Sequence, residues 1–232
     1  MRLPLPVLLS IIGGYVDSAG FLALQGLFSS HVTGNFVTLG AALVLGTSGV
    51  IAKLIALPLF CLVVALVRVL GLVLAAHAKA QPHAKAQPHA NAQPAQLPLR
   101  VMLGLKLALL TTAALLAVRL GPFPNGDVWP ALLTGMMLVS AMAVQNAAQR
   151  LYLGAAPPTT IMTGNVTQAM IDVVDLLRGL PPADPVRRRL TQMAANILGF
   201  AIGCASAALL FATLKMWCFV VPPLLGVLAI LM

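Results

Sequence analysis

Few residues in this chain are equipped for chemistry. Its 232 residues include no Glu, so the carboxylate side chains are Asp17, Asp127, Asp172, Asp175 and Asp184. Only Asp17 lies deep in a long apolar run, about twelve residues in, where a charge is expensive and usually functional. A carboxylate so placed is suited to take up a proton or hold a coupling cation. The alternative is a structural ion pair with Arg68, which falls in the inner half of the next apolar segment.

A second constellation occurs twice. Phe28-Ser-Ser-His-Val-Thr33-Gly34-Asn35-Phe-Val-Thr38 lines up with Pro158-Thr-Thr-Ile-Met-Thr163-Gly164-Asn165-Val-Thr167, the Thr-Gly-Asn triplets lying 130 residues apart. Thr33 and Thr163 are good helix N-caps, and Gly34 and Gly164 let the backbone approach a ligand closely. A helix that starts inside a membrane exposes its first N–H groups and the positive end of its dipole. Two such ends facing each other would cradle an anionic or dipolar solute. The alternative is two self-capped helices with no ligand. Gln145, Asn146, Gln149 and Arg150 form a polar patch in the second half, either part of the same site or hydrogen-bonding glue between helices. His31 either touches solute or is a solvated loop residue beside the cap.

The candidate solute-binding set is therefore Asp17, His31, Thr33, Gly34, Asn35, Gln145, Asn146, Arg150, Thr160, Thr163, Gly164 and Asn165, with Asp17 and Arg68 as an ion or coupling pair. No metal or cofactor is expected, because Cys61, Cys204 and Cys218 sit singly in apolar segments without ligand spacing and read as packing residues. An enzyme is disfavoured: there is no Ser-His-Asp order, HExxH, phosphate loop or cysteine–histidine pair.

The elements that must position these residues are membrane helices. Hydrophobic residues make up 60% of the chain and charged ones 8%, with mean hydropathy +0.98, against about 25% charged in soluble domains. A transmembrane helix needs about 20 apolar residues, and six segments pass: 5–28, 52–76, 99–120, 128–153, 190–214 and 216–232. Two shorter ones, 35–46 and 165–174, read as short or broken helices opening with Thr-Gly-Asn. The first segment resembles a signal peptide only superficially, since Asp17 occupies the place where cleavage wants small neutral residues. On one helix face Ala195, Gly199, Gly203 and Ala207 form a close-packing ladder. Asp172, Asp175 and Arg178 read as a surface charge cluster.

The sequence thus predicts an all-α polytopic membrane protein in two homologous halves, with six crossing helices and two short ones. Residues 1–76 begin the first half, 77–98 are a linker, 99–120 complete the first half and 121–232 form the second. The linker repeats His77-Ala-Lys-Ala-Gln-Pro82 with small variations, and its prolines and lack of bulky apolar residues give it nothing to bury. A metal on its spaced histidines is the weaker reading of the same repeat.

The net charge of +9 reports topology rather than nucleic acid. If the short helices dip in and return to the same side, a cytoplasmic N-terminus places Arg2, Lys79, Lys85, Arg100, Arg150, Arg178 and Arg187 to Arg189 inside, leaving Lys53, Arg119 and Lys215 outside. Eight crossings would divide the basic residues more evenly. Three crossings per half make the second copy upside down, an inverted repeat.

With these motifs in order, the chain resembles the bacterial membrane proteins of the DUF1275 or YoaK type, a family of unknown function. The resemblance rests on Gly14-Tyr-Val-Asp17 with Phe21 and Phe28, His31-Val-Thr-Gly-Asn35, Val144-Gln-Asn146 with Arg150, and Thr159-Thr-Ile-Met-Thr-Gly-Asn165. It covers nearly the whole chain outside the linker. One departure is a weaker small-residue pattern after the first short helix, at Phe60, Ala65 and Arg68. The resemblance implies a bacterial inner-membrane location and no established activity. The residues themselves favour a small secondary transporter or permease over a non-transporting scaffold or subunit. The implied partners are the lipid bilayer, an unidentified small solute and, as an open option, further copies of the chain.

Overall fold

A computed structural model describes residues 3–79, 96–180 and 183–232. Residues 80–95 of the expected 77–98 linker, with two of the three histidines of its metal reading, lie outside the described residues, while 77–79 and 96–98 belong to helices. The rest is helical: α1 (Leu5–Ala23), α2 (Gly34–Leu45), α3 (Val50–Lys79), α4 (Gln96–Leu120), α5 (Trp129–Tyr152), α6 (Met162–Leu177), α7 (Ala183–Leu214), a 3-10 helix (Lys215–Val220) and α8 (Val221–Leu231). No strand occurs among the described residues. Five stretches are long and apolar enough to span a bilayer: Leu5–Ala23, Val50–His77, Leu97–Leu120, Trp129–Tyr152 and Asp184–Leu231. The chain is therefore an all-helical protein of membrane type.

Local sequence accounts for most element ends. Pro6, Pro130 and Pro222 stand in the first turns of α1, α5 and α8, where a missing N–H is not needed. Gly46 closes α2 in a left-handed conformation, φ 65°, that a side chain would strain. Some boundaries depart from expectation. The first helix stops at Ala23 rather than near 28, because the chain turns back at Leu24. The second short helix is an unbroken sixteen residues, since Asp172 within it has a partner. The final segment joins α7 through the 3-10 helix, where Lys215 takes a left-handed φ of 51°, and the 48 residues of the candidate span Asp184–Leu231 are long enough for the last two expected crossings.

Burial ranks the helices. The apolar windows of α1 and α5 are 67% and 72% buried, against 22% for α3, so α1 and α5 lie at the centre. Their core is made by Leu9, Ile12 and Val16 of α1, Leu110 and Ala113 of α4, and Leu138 and Met142 of α5. The small-residue ladder performs as expected. A Cβ on Gly199 would meet the Val7 carbonyl oxygen at 3.2 Å, and those on Gly203 and Gly14 would overlap the carbonyl oxygens of Ile11 and Phe200. Backbone-close packing of α1 on α7 follows, giving dispersion contact where lipid removes the hydrophobic drive between helices.

The loops are tied at one end of the bundle. Lys53 Nζ donates to Gln25 O at 2.6 Å, Gly126 N to Ser48 Oγ at 3.0 Å, and Asp127 accepts from Gly49 N and Ile51 N, both at 2.8 Å. Asp127 therefore serves the opening N–H groups of α3, which that helix cannot satisfy itself. The end of α1 and the beginnings of α3 and α5 meet there.

Candidate functional site

After α1 the chain folds back along that helix and delivers residues 29–31 to Asp17. The carboxylate, 3% exposed, accepts from Ser29 N (2.9 Å), Ser29 Oγ (3.1 Å) and Ser30 N (2.6 Å) on Oδ1, and from Ser30 Oγ and His31 Nδ1 (each 2.5 Å) on Oδ2. Five donors replace its lost hydration, which is what lets a carboxylate remain in this interior. The expected partner Arg68 is not there. Asp17 pairs with His31, because the returning loop reaches the carboxylate from its own helix before any neighbouring helix can.

The Thr-Gly-Asn elements work differently from the expected caps. Neither α2 nor α6 has a side-chain cap: Thr33 is the N-cap of α2 without that bond, and Thr163 lies inside α6, whose N-cap is Ile161. The asparagines carry the structure instead. Asn35 Oδ1 accepts from Phe28 N and its Nδ2 donates to Phe28 O, both at 2.8 Å, and Asn165 Nδ2 donates to Pro158 O at 2.8 Å. Each clamps the backbone seven residues earlier, closing the loop before its helix. Pro158 has no N–H, so the second clamp lacks the bond made at Phe28.

The second loop lies on α5 as the first lies on α1. Gln145 Nε2 donates to Thr159 Oγ1 (3.1 Å) and Leu9 O (3.0 Å), and Asn146 Oδ1 accepts from Thr160 Oγ1 (2.6 Å). Gln149 Nε2 holds Leu153 O and Ala156 O, leaving Gln149 Oε1 buried without a partner. A Cβ on Gly13 would touch Thr160 Cγ2 at 3.3 Å and Thr159 O at 3.5 Å, so the second loop rests against α1.

Three cavities surround this polar belt. A central one of about 550 Å³ is lined by His31, Thr33, Arg68, Asn146, Arg150 and Ile161, with Phe60, Val64 and Leu151 supplying apolar wall. A second, about 580 Å³, lies on the other side of His31 against Asp17, Phe21, Phe28, Gly34 and Phe200. A third, about 780 Å³, takes in Arg150, Gly164, Asn165, Arg188 and Arg189. His31, Thr33, Asn146, Arg150 and Arg68 thus converge. Gly34 and Gly164 line separate cavities, and the missing Cβ of Gly34 makes room for the Phe28 ring at 3.2 Å. Asn35, Gln145 and Asn165 are buried supports, and Thr160 is held by Asn146. Thr163 is exposed on α6.

Several residues escaped the sequence reading. Ser29 and Ser30 were visible only as small polar residues beside the motif. Lys106 of α4 is 2% exposed and donates to Gln145 Oε1 at 2.5 Å, and no motif marked it. Asp172, expected in a surface cluster, is buried and bound by Arg189 through Nε (2.9 Å) and Nη2 (2.6 Å), with Gln168 Nε2 at 2.8 Å. α6 packs on α7, which turns Asp172 inward rather than to the surface. No group of metal-ligating side chains occurs among the described residues.

No curated protein and no solved structure matches the chain. The model of one family, described as "Protein of unknown function (DUF1275)", matches residues 5–232, and the chain, with its paired Thr-Gly-Asn loops, belongs to that family.

Proposed function

We propose that this protein is a small secondary transporter or permease of the bacterial inner membrane, taking a small organic anion with an apolar body. One observation carries the reading: the N-cap residues of both short helices, Thr33 and Ile161, line one cavity with Arg68 and Arg150. Neither arginine joins an ion pair among the described residues. Two cationic side chains and two helix N-termini favour a negative group, while Phe60, Val64 and Leu151 suit an apolar remainder. In this reading Thr33 and Ile161, rather than the glycines, face the solute. The Asp17–His31 pair borders the cavity through His31 and is the group whose protonation couples to solute binding.

The topology that goes with this function has six crossings, with α2 and α6 re-entrant, both termini cytoplasmic and the two halves inverted. In its favour, the end of α1 and the start of α3 are tied at one end, as a re-entrant α2 requires. The order long, short, long, long helix also recurs, with the last member of the second set short and preceded by a 3-10 helix.

The test is isothermal titration of the purified protein with benzoate and short aliphatic carboxylates, against amines and alcohols of the same shape, followed by uptake into proteoliposomes. The expected result is carboxylate binding that weakens about tenfold or more in Arg68→Gln and in Arg150→Gln, the worth of one charge-assisted hydrogen bond. Carboxylate binding unchanged in both variants overturns the site. Binding without uptake would instead favour a non-transporting subunit.

A further inference from the structure

The largest of the three cavities has a character the solute reading does not use. It lies between the loop that ends α5 and the first turns of α7, and its charged lining is Arg150, Arg188 and Arg189 against the single carboxylate Asp184. Arg189 is pre-set. Its Nε and Nη2 are fixed on buried Asp172, which Gln168 also holds, so the guanidinium stands in one orientation before any ligand arrives. A planar donor held in this way suits tetrahedral phosphate oxygens better than a mobile lysine would.

What lies beyond the cavity decides the source of the phosphate. At about 100° per residue, Leu198, Ile202 and Leu209 of α7 fall about 80°, 40° and 60° around the helix from Arg188, all to the same side. These three are among the most exposed apolar residues of α7, at 63%, 57% and 66%. Leu198 lies about 15 Å along the helix from Arg188, about half the hydrocarbon core of a bilayer. Ile202 and Leu209 lie about 21 Å and about 32 Å along, so with the basic cavity at headgroup depth Leu198 and Ile202 fall near the middle of the bilayer and Leu209 in the far leaflet.

We propose that this cavity binds the phosphate headgroup of an anionic phospholipid, whose acyl chains run along α7 as far as Leu198 and Ile202. Basic pockets between membrane helices hold such headgroups by the same chemistry. With Arg189 balanced by Asp172, Arg150 and Arg188 against Asp184 leave the lining net positive, which disfavours a zwitterionic lipid whose own ammonium would face the arginines. The inference shares Arg150 with the solute reading but is tested apart from it at Arg188, which lines this cavity and not the central one.

The experiment is thermal unfolding of the purified full chain in nanodiscs of phosphatidylcholine alone and of an equal mixture with phosphatidylglycerol. The expected result is a higher midpoint in the mixture. Arg188→Gln, at an exposed position that leaves folding intact, should lose most of that rise, with phosphatidylglycerol binding weakened about tenfold by native mass spectrometry. Arg188→Lys should retain part of the rise, and Arg178→Gln, outside the cavity, all of it. Equal midpoints in the two discs, or a full rise in Arg188→Gln, would overturn the proposal. An equal loss in Arg178→Gln would do the same by showing diffuse attraction to a charged surface. Glycerol phosphate added to phosphatidylcholine discs should give no rise, and a rise matching that of the lipid would assign the cavity to a soluble phosphate and overturn the lipid.

Discussion

At the residue scale the governing fact is that Asp17 is answered by hydrogen bonds from its own loop. A carboxylate with five donors cannot be replaced by an amide of the same shape, because the amide nitrogen would itself turn a hydrogen toward Ser29 and Ser30 or toward His31. Asp17→Asn is therefore expected to lower stability by about 2 kcal/mol or more. Arg68→Gln, at an exposed position away from the carboxylate, should leave the unfolding midpoint unchanged, and adding it to Asp17→Asn should rescue nothing. Thermal unfolding in detergent measures all three, and rescue by the double change would restore the Asp17–Arg68 pair that the geometry replaces.

At the scale of elements, the two short helices are positioned by asparagine clamps of unequal strength. Asn35 makes two bonds to Phe28, and Asn165 makes one to Pro158. Removing Asn35 leaves a part-buried N–H without its acceptor, and such an orphan costs about 1–3 kcal/mol. Asn35→Ala should thus destabilise more than Asn165→Ala by about 1 kcal/mol or more. Equal losses, read from denaturant unfolding of the two variants side by side, would mean that the clamps are not what holds the loops. The same logic explains why both glycines of the motif matter less than they look: Gly34 accommodates the Phe28 ring, and Gly164 has only Ile161 Cγ2 nearby, at 3.7 Å.

At the scale of the whole molecule, charge and loop ties together give a testable orientation. Asn125 belongs to the end where the loops after α1 and before α3 and α5 are bonded together, and Gly154 follows α5 at its other end. In a background with Cys61, Cys204 and Cys218 replaced, a cysteine at 125 should react with an impermeant maleimide added to intact cells. A cysteine at 154 should react only after lysis. The reverse pattern, or labelling of both in intact cells, sinks the six-crossing arrangement with a cytoplasmic N-terminus.

Sequence alone determined what local interactions determine. The apolar runs marked the long helices because length and hydropathy suffice for a segment that must satisfy its backbone internally. The recurring Thr-Gly-Asn marked the two short helices, and the spacing of Gly199 and Gly203 marked the face that α1 packs against, since each pattern lies within a few turns of one helix. Family membership was legible for the same reason, in short ordered motifs. Partnership was not. Whether Asp17 meets Arg68 or His31, whether Asp172 points to water or to Arg189, and whether Lys106 is buried depend on how far each helix is rotated and where a loop of about ten residues turns back. Such a loop can reach many points at nearly equal entropic cost, so only the packed structure selects one. Tertiary structure accordingly decided which polar residues share a cavity, bringing Thr33 and Ile161 together with Arg68 and Arg150 and setting the two glycines apart.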